Sequence, residues 1–253
     1  MSKQYLYRVS ILNKQSNHPL ESIAYYCGEN QYDIINSKQY STTTENKVVW
    51  NNILIPDRAE NLQEYLNLPD YLKFKSKKQD LVSNARNILW QSINVREKRA
   101  DSQFSRLFQL SIPHFLSSEQ SIFLIQDFSK IMIKEGMIID ASLHSHNHQV
   151  NNSIFEKLKI INNPENKIDE NHSQDYTGYL MATLRDYKDG QFINKNRNWN
   201  SLEKMKEWRS VWLDMLTQYI NNSETSPAEK NNWLKKFSIY KSNSESTTKV
   251  KIN

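Results

Sequence analysis

Residues 104–112 read Phe104-Ser105-Arg106-Leu107-Phe108-Gln109-Leu110-Ser111-Ile112, and their alternation sets the fold class. Successive side chains of a strand point to opposite faces, so Phe104, Arg106, Phe108, Leu110 and Ile112 share one face. Ser105, Leu107, Gln109 and Ser111 take the other, and Pro113, which has no amide donor, ends the pattern. Working outward, the same period recurs at 4–12 (QYLYRVSIL), 138–146 (IIDASLHSH) and 177–185 (TGYLMATLR). In 138–146, Ile139, Ala141 and Leu143 face a core, while Asp140, Ser142, His144 and His146 lie on the reverse. In 177–185, the last strand, Thr177, Tyr179, Met181 and Thr183 share a face. Residues 48–55 (VVWNNILI) form a further extended segment before Pro56, and 36–46 read as a polar loop.

Helical segments separate these strands. Pro19 in the first turn opens a short helix carrying Leu20, Ile23, Ala24 and Cys27, with Gly28 as its stop. Residues 57–66 and 79–96 have helical character. Ser117-Ser118-Glu119-Gln120 forms a capping box for a helix to Glu135, ended by Gly136. Asn200 and Ser201 cap a long helix to Asn222, with Trp208, Val211, Trp212, Met215 and Leu216 spaced for burial. Ser226-Pro227 starts another. Residues 147–175 read as a mobile polar insertion and 241–253 as a disordered tail. Strands separated by helices predict a sheet covered on one face by helices, with a more polar face left for a site.

Composition narrows the function classes. The 253 residues carry a net charge of +5, with pI about 9.0 and mean hydropathy −0.77. A basic excess favours acidic partners, nucleic acid first among them. A single cysteine, Cys27, rules out an internal disulfide and Cys-rich zinc sites. The opening MSKQYLYRVSILNK lacks the apolar core of a signal peptide, and no run approaches the ~18 apolar residues of a membrane span. A cytoplasmic protein without membrane insertion is expected.

Two constellations could carry chemistry. Tyr25 and Tyr26 are adjacent on the first helix, either as packing aromatics or as a nucleophile able to form a covalent phosphotyrosine. A phenol with pKa about 10 needs a metal or base to ionise. His144 and His146, two apart on a strand, point to one face and could grip a divalent metal, or could be polar residues at a strand end; His148 follows. His172 and His114 stand alone. Lys73, Lys75, Lys77, Lys78, Arg96, Lys98, Arg99, Lys195 and Arg197 are spread over loops and helix ends, where a minority could contact phosphate.

Taken in order, the segments resemble the MobA/MobL family of relaxases, over residues 1–220. The match runs through Ala24-Tyr25-Tyr26-Cys27-Gly28-Glu29-Asn30-Gln31-Tyr32-Asp33, then Leu89-Trp90, then Glu97-Lys98-Arg99-Ala100-Asp101-Ser102-Gln103 with Arg106. It continues in Ile112-Pro113, in Gly136, Met137, Asp140 and His144, and in Thr183-Leu184-Arg185. Phe192, Lys195, Arg197 and Trp199 close it, with Trp208-Arg209 and Trp212 behind. The resemblance implies an α+β, HUH-type fold: an antiparallel sheet of about five strands flanked by helices, with a helical C-terminal part. It implies a relaxase-like domain over 1–222, followed by a short helix and tail at 223–253. By the same resemblance Tyr25, or alternatively Tyr26, is the nucleophile. His144 is the first metal ligand, Mg or Mn is the cofactor, and Arg99, Arg106, Arg185, Lys195 and Arg197 contact DNA. The implied partner is single-stranded DNA at an origin of transfer, nicked through a phosphotyrosine, alongside accessory mobilisation proteins.

The sequence departs from the family where it matters. Thr177 and Tyr179 stand where the family places His-x-His, and Leu107 and Gln109 where it usually carries acids. Two outcomes stay open. His146, His148 or His172 replaces the missing ligands, or the metal is lost and the domain binds DNA or a partner without cutting. In the second case Leu107, Tyr179 and Met181 extend an apolar face.

Overall fold

The computed structural model describes residues 7–42, 47–56, 81–146, 175–188 and 191–246. The elements run β1 (Tyr7–Asn13), α1 (Pro19–Cys27), β2 (Gln31–Asp33), β3 (Lys38–Tyr40), β4 (Lys47–Leu54), α2 (Leu81–Arg96), β5 (Gln103–Ile112) and α3 (Ser118–Glu135). After these come β6 (Ile139–His146), β7 (Asp175–Thr183), β8 (Arg185–Lys188), β9 (Gln191–Lys195), a 3₁₀ turn (Arg197–Asn200), α4 (Leu202–Asn222) and α5 (Pro227–Ser246). Five strands form one sheet in the order β1-β5-β7-β6-β4, and every neighbouring pair is antiparallel.

Alternation builds the main core. Phe108, Leu110 and Ile112 of β5, Leu180 and Ala182 of β7, and Ile139, Ala141 and Leu143 of β6 pack with Leu124, Ile125 and Phe128 of α3 and Trp208, Trp212 and Leu216 of α4. Phe128 links the layers, 6.2 Å from Phe108 and 5.2 Å from Trp212, ring to ring. Gly178 lies under α3 because nothing larger fits: a Cβ there would sit 2.8 Å from Ile125 Cδ1. The capping box holds α3 as expected, Ser117 Oγ accepting from Gln120 N at 3.1 Å and Ser117 N donating to Gln120 Oε1 at 2.9 Å.

Helices cover both faces of the sheet, not one. Leu20, Ile23 and Ala24 of α1 and Leu89, Trp90 and Ile93 of α2 pack with Leu12, Leu107, Ile138 and Met181 in a second core. The apolar pair Leu107 and Met181 supplies the footing for these helices. Phe104 joins this second core instead of the face of Phe108. The register explains it: Leu12 pairs with Ser105 but Asn13 with Gln103, so Phe104 is the extra residue of a bulge that re-aims its side chain.

Other expectations shift as well. Part of the polar loop at 36–46 is β3, paired with β2. The strand at β7 is followed by a β8–β9 hairpin. α5 is a 20-residue helix to Ser246, so 241–246 are helical and not tail. Its Trp233 is buried in the main core, 6.4 Å from Phe115. The segments 57–66, 147–174 and 247–253 lie outside the described residues.

Candidate functional site

α1 ends against the sheet through its own orphan carbonyls. The last C=O groups of a helix have no partner within it and must find one outside. The Tyr26 carbonyl accepts from Ser142 Oγ at 2.6 Å and from His144 Nε2 at 2.6 Å. The Cys27 carbonyl accepts from Asn51 Nδ2 at 2.9 Å. Gly28 then turns the chain at φ 67°, where a Cβ would lie 2.6 Å from Val48 Cγ2. Strands β4 and β6 thus fix the turn of α1 that carries both tyrosines.

A carbonyl oxygen can only accept, so His144 carries its proton on Nε2 and leaves a lone pair on Nδ1. That Nδ1 is buried and has no hydrogen-bond partner among the described residues. Burial first, then His146, pushes the His144 pKa below its ordinary value, against the pull of the Tyr26 carbonyl bond. The imidazole is neutral at pH 7.

Tyr179 fills the space beside it. Its ring is 4.7 Å from the His144 ring, edge to face, and 5.0 Å from Tyr26. Tyr25 meets Tyr26 edge-on at 5.0 Å and is 43% exposed. Tyr25 is therefore linked to His144 through Tyr26 and Tyr179. Burial, and then the neighbouring Tyr25 and Tyr26, push the Tyr179 hydroxyl up to about 12. Burial and Tyr25 raise Tyr26 too, against Arg8.

His146, on the same face, shares a hydrogen bond with Thr177 Oγ1 at 3.0 Å from its Nε2. The residues at hand do not fit a three-imidazole metal centre. The strand paired with β6 carries Thr177 and Tyr179 where the resemblance implies imidazoles, and His144 itself offers Nδ1 alone, its Nε2 proton being held by the Tyr26 carbonyl. Neutral hydroxyls are weak ligands for a divalent ion. Among the described residues no three His, Cys, Asp or Glu side chains group to hold one. His148 and His172 lie outside the described residues.

Four residues before His144, on the same face of β6, Asp140 belongs to a buried ion pair that the sequence analysis does not single out. Arg86 Nε donates to both Asp140 oxygens at 3.0 Å, and Trp90 Nε1 donates to Oδ2 at 2.8 Å. Cys27 Sγ donates to Oδ1 at 3.3 Å. Arg86 also reaches Asn51 Oδ1 at 3.2 Å and Glu29 at 2.5 Å. Burial and the adjacent Asp140 push the Cys27 thiol well up, so it stays protonated. The signal for this network was an arginine four residues before Trp90, which puts both on one face of α2.

The expected DNA-contacting cations are mostly engaged within the chain. Arg185 Nε and Lys195 Nζ pair with Glu97 at 2.6 and 2.9 Å. The Arg106 guanidinium, 8% exposed, donates to Asn200 Oδ1. Arg99 is exposed and pairs with Asp101 at 2.7 Å. Arg197 is exposed on the 3₁₀ turn. Arg8, a cation the sequence analysis does not single out, is exposed on β1 and close enough to act on the Tyr26 hydroxyl.

A family model described as MobA/MobL family matches residues 19–234. The chain belongs to the MobA/MobL family. Its segments are 35% identical over 66 residues to the conjugal transfer protein TraA of Agrobacterium fabrum, covering 26% of this chain and 6% of that protein. They are 36% identical over 66 residues to TraA of Rhizobium radiobacter, with the same coverage. The match thus spans a small fraction of these relatives' length. A chain from the structural study "Molecular Basis of Vancomycin Resistance Transfer in Staphylococcus aureus" superposes with TM-score 0.61 at 20% identity, covering 87% of this chain and 94% of that one. The MobA/MobL domain described above is accordingly relaxase-like in fold and mobilisation-related in family. No helix among its described residues is long and apolar enough to cross a membrane.

Proposed function

We propose that this MobA/MobL domain binds single-stranded DNA of a transfer origin in the cytoplasm, with accessory mobilisation proteins, as a non-cleaving member of its HUH-type fold. The observation that carries the reading is Tyr179: a phenol packed between Tyr26 and His144, where the resemblance implies a metal-binding imidazole. Thr177, at the other such position, bonds to His146. The basic charge and the mobilisation family favour DNA as the partner.

The test is a binding and capture assay on single-stranded copies of the DNA flanking the protein's own gene. Salt-sensitive binding that is indifferent to EDTA, without an SDS-resistant adduct in Mg²⁺ or Mn²⁺, is the expected outcome. An adduct that forms with Mn²⁺ and disappears in Tyr25→Phe overturns it.

One observation favours the second reading, nicking through Tyr25 with a rearranged metal set. The His144 Nδ1 lone pair is buried and unpartnered among the described residues, as a ligand waiting for an ion would be. His146, His148 or His172 would have to complete that set.

A further inference from the structure

We propose that the Tyr25–Tyr26–Tyr179 row is a base-stacking platform for single-stranded DNA, with Arg8 at its border contacting the adjoining phosphate. The proposal rests on the DNA-binding reading above and gives it a subsite.

The rings are propped rather than scattered. Tyr25, 43% exposed, stands edge-on to Tyr26 at 5.0 Å, and Tyr26 leans on Tyr179 at 5.0 Å. Tyr179 in turn abuts His144 at 4.7 Å, and α1 is held to β6 through the Tyr26 carbonyl. A ring braced in this way loses little freedom when a base lies on it, the condition under which stacking yields most affinity.

The sheet lines up what a nucleotide needs beside those rings. Arg8 pairs with Gln109, Gln109 with Tyr179, and Tyr179 with Ser142, so one row crosses four strands from cation to amide to phenol to hydroxyl. Arg8 and Tyr179 are two strand spacings apart, roughly 10 Å, a span that a base and its phosphate can bridge. The row holds one cation and no carboxylate, and the raised Tyr26 and Tyr179 hydroxyls stay neutral, so nothing in it repels a phosphate backbone. Aromatic faces take any base, and a neighbouring cation takes the phosphate; together they are the signature of single-strand binding.

The full chain is titrated by fluorescence anisotropy against fluorescein-labelled oligothymidylate and against an abasic strand of equal length, over a series of NaCl concentrations. Oligothymidylate binds roughly tenfold tighter than the abasic strand. Tyr25→Leu erases that preference and Tyr25→Phe, which keeps the ring, restores it. Arg8→Gln weakens both strands alike and lowers the salt slope by about one. If the unsubstituted protein binds both strands equally, or Tyr25→Leu keeps the preference, the platform is overturned while DNA binding stands. The platform also falls if Tyr25→Phe fails to restore the preference, or if duplex of the same sequence, whose bases are already stacked, binds as well. Absence of binding to either strand at low salt removes the underlying reading as well.

Discussion

The imidazole of His144 donates from Nε2 to the backbone carbonyl of Tyr26 at 2.6 Å, joining the end of a helix to the middle of a sheet. Ser142 Oγ donates to the same oxygen at 2.6 Å. A carbonyl with two donors is fully satisfied, and the last turn of α1 follows wherever β6 goes. Ser142→Ala should therefore cost about 1 kcal/mol, the net worth of one hydrogen bond. Its local signature is faster amide exchange in residues 24–28, read by hydrogen–deuterium exchange. Unchanged exchange there would mean His144 alone suffices.

The Arg86–Asp140 pair predicts a larger and more particular effect. Both side chains are fully buried, so removing Asp140 leaves the Arg86 charge with only the partly exposed Glu29 to offset it. Asp140→Ala should destabilise by roughly 3–5 kcal/mol, measured by urea denaturation. The paired replacement Arg86→Met with Asp140→Leu should recover most of that loss, because it removes both desolvation costs together.

Close approach at Gly178 can be checked by a coupled substitution. A Cβ at 178 would lie 2.8 Å from Ile125 Cδ1. Gly178→Ala should cost about 1–3 kcal/mol through overpacking. In an Ile125→Val background, which removes that methyl, the same substitution should cost clearly less. Equal costs in the two backgrounds would place the strain elsewhere.

Glu97 carries a pH prediction. Its two partners, Arg185 and Lys195, hold the carboxyl below its ordinary value of 4.5, against burial, which raises it. A carboxylate depressed on folding adds stability that is fully present above the unfolded pKa and lost as pH falls through the folded one. The melting temperature should thus decline as pH drops below about 4.5. Glu97→Gln should lower stability at pH 7 by roughly 2–4 kcal/mol, toward the low end because Arg185 and Lys195 are partly exposed. It should also flatten that part of the acid limb. Asp33 and Asp127, likewise depressed, keep some slope in the variant.

Much of the sheet was legible because alternation is local. Ile139, Ala141 and Leu143 against Asp140, Ser142 and His144 needed only the two-residue period, and the Ser117–Gln120 box needed only four residues. What escaped depends on distant partners. The β2–β3 hairpin has strands of three residues, and its Asp33 is held by Gln91 at 3.2 Å, far along the chain. The bulge at Phe104 exists only relative to Leu12 and Asn13 on β1. For the site, Tyr25, Tyr26 and His144 stood out by residue type, and Tyr179 by standing where the family resemblance implies histidine. Their joining in one aromatic row, and the carbonyl that engages His144, depend on where α1 docks, and that docking is a tertiary property. Arg185 and Lys195 looked like phosphate contacts because charge runs do not announce their intramolecular partners.

His144 commits only one of its two nitrogens to the main chain. The oxygen of residue 26 takes the Nε2 proton, which fixes the tautomer and the tilt of the ring, while the Nδ1 lone pair has no partner among the described residues. No side-chain exchange at residue 26 removes that oxygen. The protonation pattern of the imidazole is therefore written into the backbone and outlasts any replacement of the aromatic side chains around it.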